Sequence, residues 1–415
     1  MYKVNVMNIV KSFLSFLWLV PFLYMFLDIY FNLDIRLPLV VFKCLIFLSL
    51  FCAFSLIAIW YKEFRELSFI KKSFIALQNG DLPMLDTLLT KNDVANFTEN
   101  NKTLLQYAVD NQLRDEIIIY LLSRDALISY SGSYDYNVSY TLFYLAAYYN
   151  YLNNEIIEYL ITRGAYVNFI DTSKGFEGLS LVQVFILRGN RHAIALLLNK
   201  GAVLDYFVND LSMNSLMLAA KYVEDPMVIK LLVETDVNIH ETNKDGYNAL
   251  LFACHYNPNP AIVSVLINSG AKISPYNIRS ALLQYNEVTP LMIASSYNNA
   301  DVVKILIKAG DDINFKDNYG LGVVFMAAAH NPNVDVLKTL LVAGVNLDKF
   351  KDPEGNTPLM AAAYLNSSLN IIRYLIDKTH NLKAKNHDGF TFIDYLHQNS
   401  HLSEQEKELV LQRWI

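Results

Sequence analysis

Hydrophobic positions along this chain fall into two regimes. Between residues 12 and 61 they are almost continuous. The stretch SFLSFLWLVPFLYMFLDIYF (12–31) carries one charge, Asp28, near its end, and PLVVFKCLIFLSLFCAFSLIAIWY (38–61) carries one, Lys43, near its start. A bilayer core of ~30 Å needs ~20 apolar residues in a helix, so each run predicts a membrane span. Beyond residue 69 the pattern changes to short apolar runs separated by polar turns. Residues 289–320, TPLMIASSYNNADVVKILIKAGDDINFKDNYG, are one such unit. Thr289 and Pro290 open a turn, and Leu291 to Ala294 begin a short apolar helix. Asn298 and Asn299 break it, and a second helix follows in which Val302, Val303, Ile305, Leu306 and Ile307 dominate. Gly310 is a C-terminal stop, and Asp317 to Gly320 turn the chain into the next unit. Helices this short cannot bury their faces alone and require neighbours.

With Thr289 as anchor, equivalent positions fall at Thr103, Thr141, Ser180, Ser215, Asn248, Gly322, Thr357 and Thr391, at steps of 33 to 41 residues. Each introduces an apolar helix, such as SLMLAAK, NALLFAC or TPLMAAA, and most are followed by a second run such as EIIEYLITRGAYVN. Self-similarity near 33 residues predicts a helical solenoid. These residues resemble the ankyrin-repeat family, over roughly Phe69 to the C-terminus. The family's T-P-L-H stands here as T-P-L-M at Thr289 to Met292 and Thr357 to Met360. The resemblance then implies the loss of a side-chain hydrogen bond in the turn, and an array leaning more on apolar packing. Residues 70–90 read as a half-degenerate first repeat, and Ser403 with Glu406 as a capping box opening a charged terminal helix. The predicted fold is all-α: an N-terminal two-helix transmembrane hairpin, then an ankyrin-repeat solenoid. Its parts are an N-terminal tail (1–11), the hairpin (12–61), a linker (62–68) and an array of about nine repeats (69–415).

The link at 32–37 is short enough to force the two spans antiparallel. Lys3 and Lys11 precede the first span, and Lys62, Arg65, Lys71 and Lys72 follow the second, whereas the link has only Arg36. The excess of basic residues on one side places both termini and the array in the cytoplasm. Asp28 and Lys43 lie one to two turns inside the same end of the hairpin, either snorkelling to the interface or pairing between helices.

Net charge is −6 and no basic stripe interrupts the repeats, which excludes nucleic acid as the expected partner. Three cysteines, Cys44, Cys52 and Cys254, offer no disulfide framework. Abundant Asn, Tyr, Ile and Lys point to an AT-rich, bacterial genome, hence an inner-membrane location. No phosphate-binding G-x-x-x-x-G-K, G-x-S-x-G elbow or D-H-H-C stands in the sequence. His397 and His401 share the i, i+4 spacing of a zinc pair but sit in a polar link without a third ligand. No catalytic, cofactor or metal site is expected.

The expected partner is a protein or peptide. By the resemblance, such arrays bind through turn fingers and the concave face of the first helices. Two connections are long: Ile128 to Tyr140, with Tyr130, Tyr134, Tyr136 and Tyr140, and Ser274 to Val288, with Tyr276, Arg279 and Tyr285. Tyrosine among Ser, Gly and Asn gives large contact area at low entropic cost; the bland alternative is loops whose rings pack on adjacent fingers. Tyr107, Tyr148, Tyr149, Tyr222 and Tyr256 also fall on first helices. The function expected is a membrane-anchored, non-catalytic module that recruits or sequesters a protein. Alternatives are a secreted host-directed effector, a toxin-immunity protein and, more remotely, a regulatory subunit of a channel or transporter.

Overall fold

Between Leu39 and Asn79 the sequence has neither Gly nor Pro, so nothing within it stops a helix. In the computed structural model these 41 residues form one helix, α1 (Leu39–Asn79). The structure describes residues 39–92, 98–99, 102–128, 134–148, 154–171, 178–204, 213–235, 237–279 and 286–412. The first apolar run with Asp28, and the link at 32–37, lie outside these residues, as does the side chain of Lys43. Counting only what is described, no helix is long and apolar enough to cross a membrane. Residues 62–68, expected as a linker, are instead helical in mid-α1. The correction has a simple cause: a polar stretch without a breaker extends a helix that is already nucleated.

The chain divides into two compact units, 1–128 and 129–415. In the first, Gly80 at φ +68° turns α1 into α2 (Leu82–Asn92). A two-residue hairpin, β1 (Thr98–Glu99) and β2 (Lys102–Thr103), leads to α3 (Leu104–Asp110) and α4 (Asp115–Ser123). Phe74 and Leu77 of α1 and Leu85 of α2 are buried, and the Phe74 ring meets the Tyr107 ring edge-on at 5.4 Å. The end of α1 thus serves as the first helix of the opening repeat.

The second unit repeats a helix pair eight times. Its first helices are α5 (Tyr134–Tyr148), α7 (Leu181–Leu187), α9 (Ser215–Tyr222), α11 (Ala249–Tyr256), α13 (Pro290–Tyr297), α15 (Val323–His330), α17 (Pro358–Leu365) and α19 (Phe392–Gln398). Their second helices are α6 (Asn154–Thr162), α8 (Arg191–Asn199), α10 (Pro226–Val233), α12 (Pro260–Asn268), α14 (Ala300–Ala309), α16 (Val334–Val342), α18 (Leu369–Lys378) and α20 (Glu404–Leu411). Thr289 caps α13 as expected, its hydroxyl accepting from Met292 N–H at 3.2 Å. Asn214, one residue before the expected anchor, caps α9, accepting from Met217 N–H at 2.9 Å. First helices pack against first helices of the neighbouring repeats and against their own second helix. They are therefore buried all round rather than on one face: in α13 every residue from Pro290 to Ser296 is buried. Second helices keep one apolar face, as Ile371, Ile372 and Leu375 of α18 show.

The two long connections differ. Ile128 to Tyr140 is not a lengthened finger, because α5 begins at Tyr134 and already buries Asn137, Val138 and Ser139. No glycine or proline follows Gly132 to stop the helix from starting early. Ser274 to Val288 does form a finger, in which β3 (Tyr276–Ile278) pairs antiparallel with β4 (Asn286–Val288). That finger lies on the preceding turn, where Arg279 N–H donates to the Asp245 carbonyl at 2.9 Å. A Cβ at Gly246 (φ +83°) would stand 2.1 Å from the Asn277 oxygen, so only glycine fits.

Polar ties run through the array as an asparagine ladder. Asn298 Nδ2 donates to the carbonyls of Ala253, Cys254 and Asn257 in the preceding repeat at 2.9–3.2 Å. Asn331 donates to Ser295 and Asn298, Asn366 to Ala328 and Asn331, and Asn399 to Ala363 and Asn366, at 2.8–3.0 Å. Asn257 begins the series on Ala220 and Val223. Each Oδ1 accepts the backbone N–H one or two residues onward, as Asn331 does from Asn333 at 2.9 Å. Five buried amides thus satisfy carbonyls at the ends of first helices. The array is less purely apolar in its cohesion than T-P-L-M implied.

One buried polar group fits poorly. Asp311 follows Gly310 where Ala165, Ala202 and Ala271 follow their glycines. It is 5% exposed; Oδ2 accepts from Leu291 N–H at 2.8 Å, while Oδ1 has no hydrogen-bond partner among the described residues. Burial raises its carboxyl from 3.8 to about 6, outweighing contacts with Leu291, Thr289 and Asp312.

Candidate functional site

Because each first helix is sandwiched, its last turn is where it reaches the surface. In α9 and α11 the first six residues are buried and the final tyrosine is exposed. The exposed terminal side chains of five successive helices are Tyr222, Tyr256, Tyr297, His330 and, in α17, Tyr364 with Leu365. Four of these residues, Tyr256, Tyr297, His330 and Leu365, stand immediately before a ladder asparagine, so the amide that fixes the helix end also fixes the side chain beside it.

The rings form a column. His255 stacks on Tyr256 at 3.9 Å and 11°, and on Tyr297 at 4.3 Å and 19°. Tyr297 lies parallel to His330 at 6.3 Å, 19° apart. On the other side of Tyr256 the Lys221 ammonium sits 4.4 Å from its centroid, 4.8 Å from Tyr222 and 6.0 Å from Phe252. Faces are largely occupied by one another, leaving edges and hydroxyls outward. Burial, with Lys221 adding repulsion, lowers His255 to about 4, and burial lowers His330. His255 in the column is therefore neutral near pH 7, and Lys221 is its one cation among the described residues. The Tyr247 hydroxyl lies 3.4 Å from His255 Nδ1 and braces the imidazole from the preceding turn. Its phenol is raised by burial first and by Tyr256, Tyr297 and Asp245 after.

Of the residues expected at a contact site, Tyr130 and Tyr285 lie outside the described residues. Tyr134 and Tyr136 are in the first turn of α5, with side chains outside the described set. Tyr140 is half-buried and starts an i, i+4 series with Tyr144 (6.1 Å) and Tyr148 (4.4 Å from Tyr144). The Tyr276 hydroxyl donates to the Lys272 carbonyl at 2.8 Å, so its polar end is engaged internally. Arg279 is exposed on the finger. The structure brings together a different set: Lys221, Tyr256, His255, Tyr297 and His330. Sequence inspection missed that grouping, although the recurrence of Tyr-Asn, Tyr-Asn and His-Asn at first-helix ends was visible. Among the described residues no group of three or more His, Cys, Asp or Glu side chains is placed to hold a metal ion. The exposed His380 lies 2.8 Å from Asp348.

The family pattern described as ankyrin repeats in three copies matches residues 142–240, 216–317 and 325–403. A fowlpox virus (strain NVSL) ankyrin repeat protein, FPV031, is 33% identical over 91 residues, 22% of this chain and 26% of that protein. A second from the same virus, FPV222, is 35% identical over 98 residues, 23% of this chain and 13% of its own length. The matches thus span about a quarter and about an eighth of these curated relatives. Among solved structures, the human ASB11 ankyrin repeat domain is 24% identical, with a TM-score of 0.45, over 56% of this chain and 98% of that one.

Proposed function

We propose, from the premise that this chain belongs to the ankyrin-repeat family, that it is a non-catalytic adaptor which holds a protein partner on the aromatic column of its second unit, at a membrane. One observation carries the interaction surface: rings from successive repeats stand at the surface already stacked. Side chains immobilised before binding lose little entropy on contact, and exposed Tyr in such a setting is the usual composition of a binding hot spot. The finger residue Arg279 lies at a separate position and serves as the internal control.

The membrane part of the proposal rests on α1. Phe51, Phe54, Ile57, Ile59, Trp60 and Phe64 are all exposed and point to every side of the helix. A helix apolar all round needs lipid or protein about it. Trp60 and Tyr61 then mark a boundary with Lys62, Glu63 and Arg65, the pattern of an aromatic belt beside an interface. Together with the basic residues after the second run, this favours a cytoplasmic array, and a bacterial inner membrane is the setting that residue usage suggests. Confinement there raises the effective concentration of a partner held in the same membrane.

The test is proximity labelling by a ligase fused after Ile415. Tyr256→Ala with Tyr297→Ala should lose neighbours that the wild type and Arg279→Ala retain, with unchanged thermal unfolding. An unaltered set of neighbours in the double variant refutes the surface. For topology, a cytoplasm-only reporter and an exterior-only reporter are fused separately to the same end; activity of the exterior reporter refutes the cytoplasmic placement.

A further inference from the structure

We infer that the occupant of the column is an extended peptide segment bearing a carboxylate that meets Lys221. The inference rests on the interaction surface proposed above and adds the chemistry of the partner. Three observations bear on it. The surface is one or two residues wide per repeat and runs from α9 to α17, four steps between packed helices. At ~8–10 Å per step that is ~32–40 Å, which ~10–12 residues cover in extended form. A helix is broader than this row, and a globular face would not follow it.

Second, the hydroxyls of Tyr222, Tyr256, Tyr297 and Tyr364 donate to no group of the chain among the described residues, although the rings of Tyr256, Tyr297 and Tyr364 pack on neighbouring rings and that of Tyr222 lies against the Lys221 ammonium. Regularly spaced hydroxyls, each both donor and acceptor, suit the alternating N–H and C=O groups of an extended backbone. The Tyr256 and Tyr297 rings already stack on His255, so face stacking with a partner's aromatic residues is not what these two offer.

Third, the charge is one-sided. Lys221 is half-buried among the Tyr222, Tyr256 and Phe252 rings, and no carboxylate of the described residues lies within ion-pair distance of its ammonium. The other exposed members of the row, from Tyr256 to Leu365, are uncharged tyrosine, histidine and leucine. In a chain of net charge −6 this is a local positive site held in low dielectric, where an incoming carboxylate gains more than at an open surface. The acidic residue of the partner therefore sits at the α9 end of the segment, with the rest lying toward α17.

The experiment pans a display library of random 12-residue peptides on the full chain in detergent micelles, then measures selected peptides by fluorescence polarisation. The expected result is enrichment of Asp or Glu near one end. Lys221→Gln should then weaken those peptides at least tenfold, Lys221→Arg should restore them, and the amide twin of each peptide should not weaken further on the Gln variant. Thermal unfolding of each variant, matched to wild type, excludes a folding defect. Peptides that need Tyr297 but carry no acidic enrichment, or ignore Lys221→Gln, overturn the carboxylate while leaving the interaction surface standing. Peptides indifferent to Tyr297→Ala, or no peptides at all, overturn the extended segment itself.

Discussion

Asp311→Asn isolates a buried carboxyl that works against the fold. Its folded value of about 6 lies above the 3.8 of the unfolded chain. Between those two values the folded state holds the extra proton, so stability is highest in acid and falls as pH rises through that window. The full penalty, present once the carboxyl is ionised, is about 3 kcal/mol at 1.36 kcal/mol per pH unit. Of this, about 1.4 kcal/mol, a factor of about ten, develops between pH 5 and pH 7.5. His255, depressed to about 4, acts oppositely: its unfolded form takes up a proton first, so it costs stability as pH falls below 6.5. Raw stability against pH therefore mixes the two, and the comparison must be between wild type and variant at each pH. Unfolding of a repeat array is not all-or-none, so the readout should be local. Hydrogen exchange of α13 and α14 amides serves, since intrinsic exchange rates cancel in the ratio. The variant should gain about tenfold in relative protection between pH 5 and pH 7.5. A ratio constant across that range would mean that Asp311 is not proton-linked to folding, and the argument from burial would fail.

Asn331→Ala removes two donations to Ser295 and Asn298 and one acceptance from Asn333; at about 1 kcal/mol each, more where a buried carbonyl is left bare, it should cost about 2–4 kcal/mol. Asn333→Ala, an exposed cap, should cost only about 1 kcal/mol in the same urea titration; equal losses would contradict the ladder. Gly322→Ala should destabilise by about 1–3 kcal/mol by overpacking, because the added Cβ would stand 2.4 Å from the Phe350 ring while φ is an ordinary −115°. Phe350→Leu should relieve much of that loss, and a strictly additive double variant would refute the clash. Peptide binding to the column should not change through protonation of His255 between pH 7.5 and pH 5.5, since its ring stays neutral there; a transition near pH 6.5 that His255→Gln abolishes would show the imidazole to be solvated.

Much of the array was legible because its signals are local. Thr289, Thr357 and Asn248 announce helix starts by residue type, and the structure uses each as a cap. Continuity was harder to read. A seven-residue polar stretch looks like a linker from composition, yet whether a helix passes through it depends on breakers, and residues 62–68 contain none. The Tyr-rich stretch before Thr141 misled in the same way, because loop-like composition does not prevent a helix that can bury Val138. Asn298 was placed as a helix terminator, and the structure ends α13 on it; the equivalent asparagines of the other repeats were not read so. Their reach into the previous repeat is a tertiary fact, since the acceptors are carbonyls 33 to 45 residues away. The column was hidden for a related reason: which tyrosine is exposed depends on which helix positions the neighbours cover.

The ladder has a sense of direction. Every rung reaches backward, so each repeat is completed by the one that follows it. After Asn399 the next donor along the chain is not an amide: Lys407 of α20, its side chain 7% exposed, donates to the His397 carbonyl at 3.1 Å and is neutralised by Glu404 at 2.7 Å. Removing a ladder-bearing repeat would therefore leave bare the helix-end carbonyls of the repeat before it, whereas the repeat after it would keep its own.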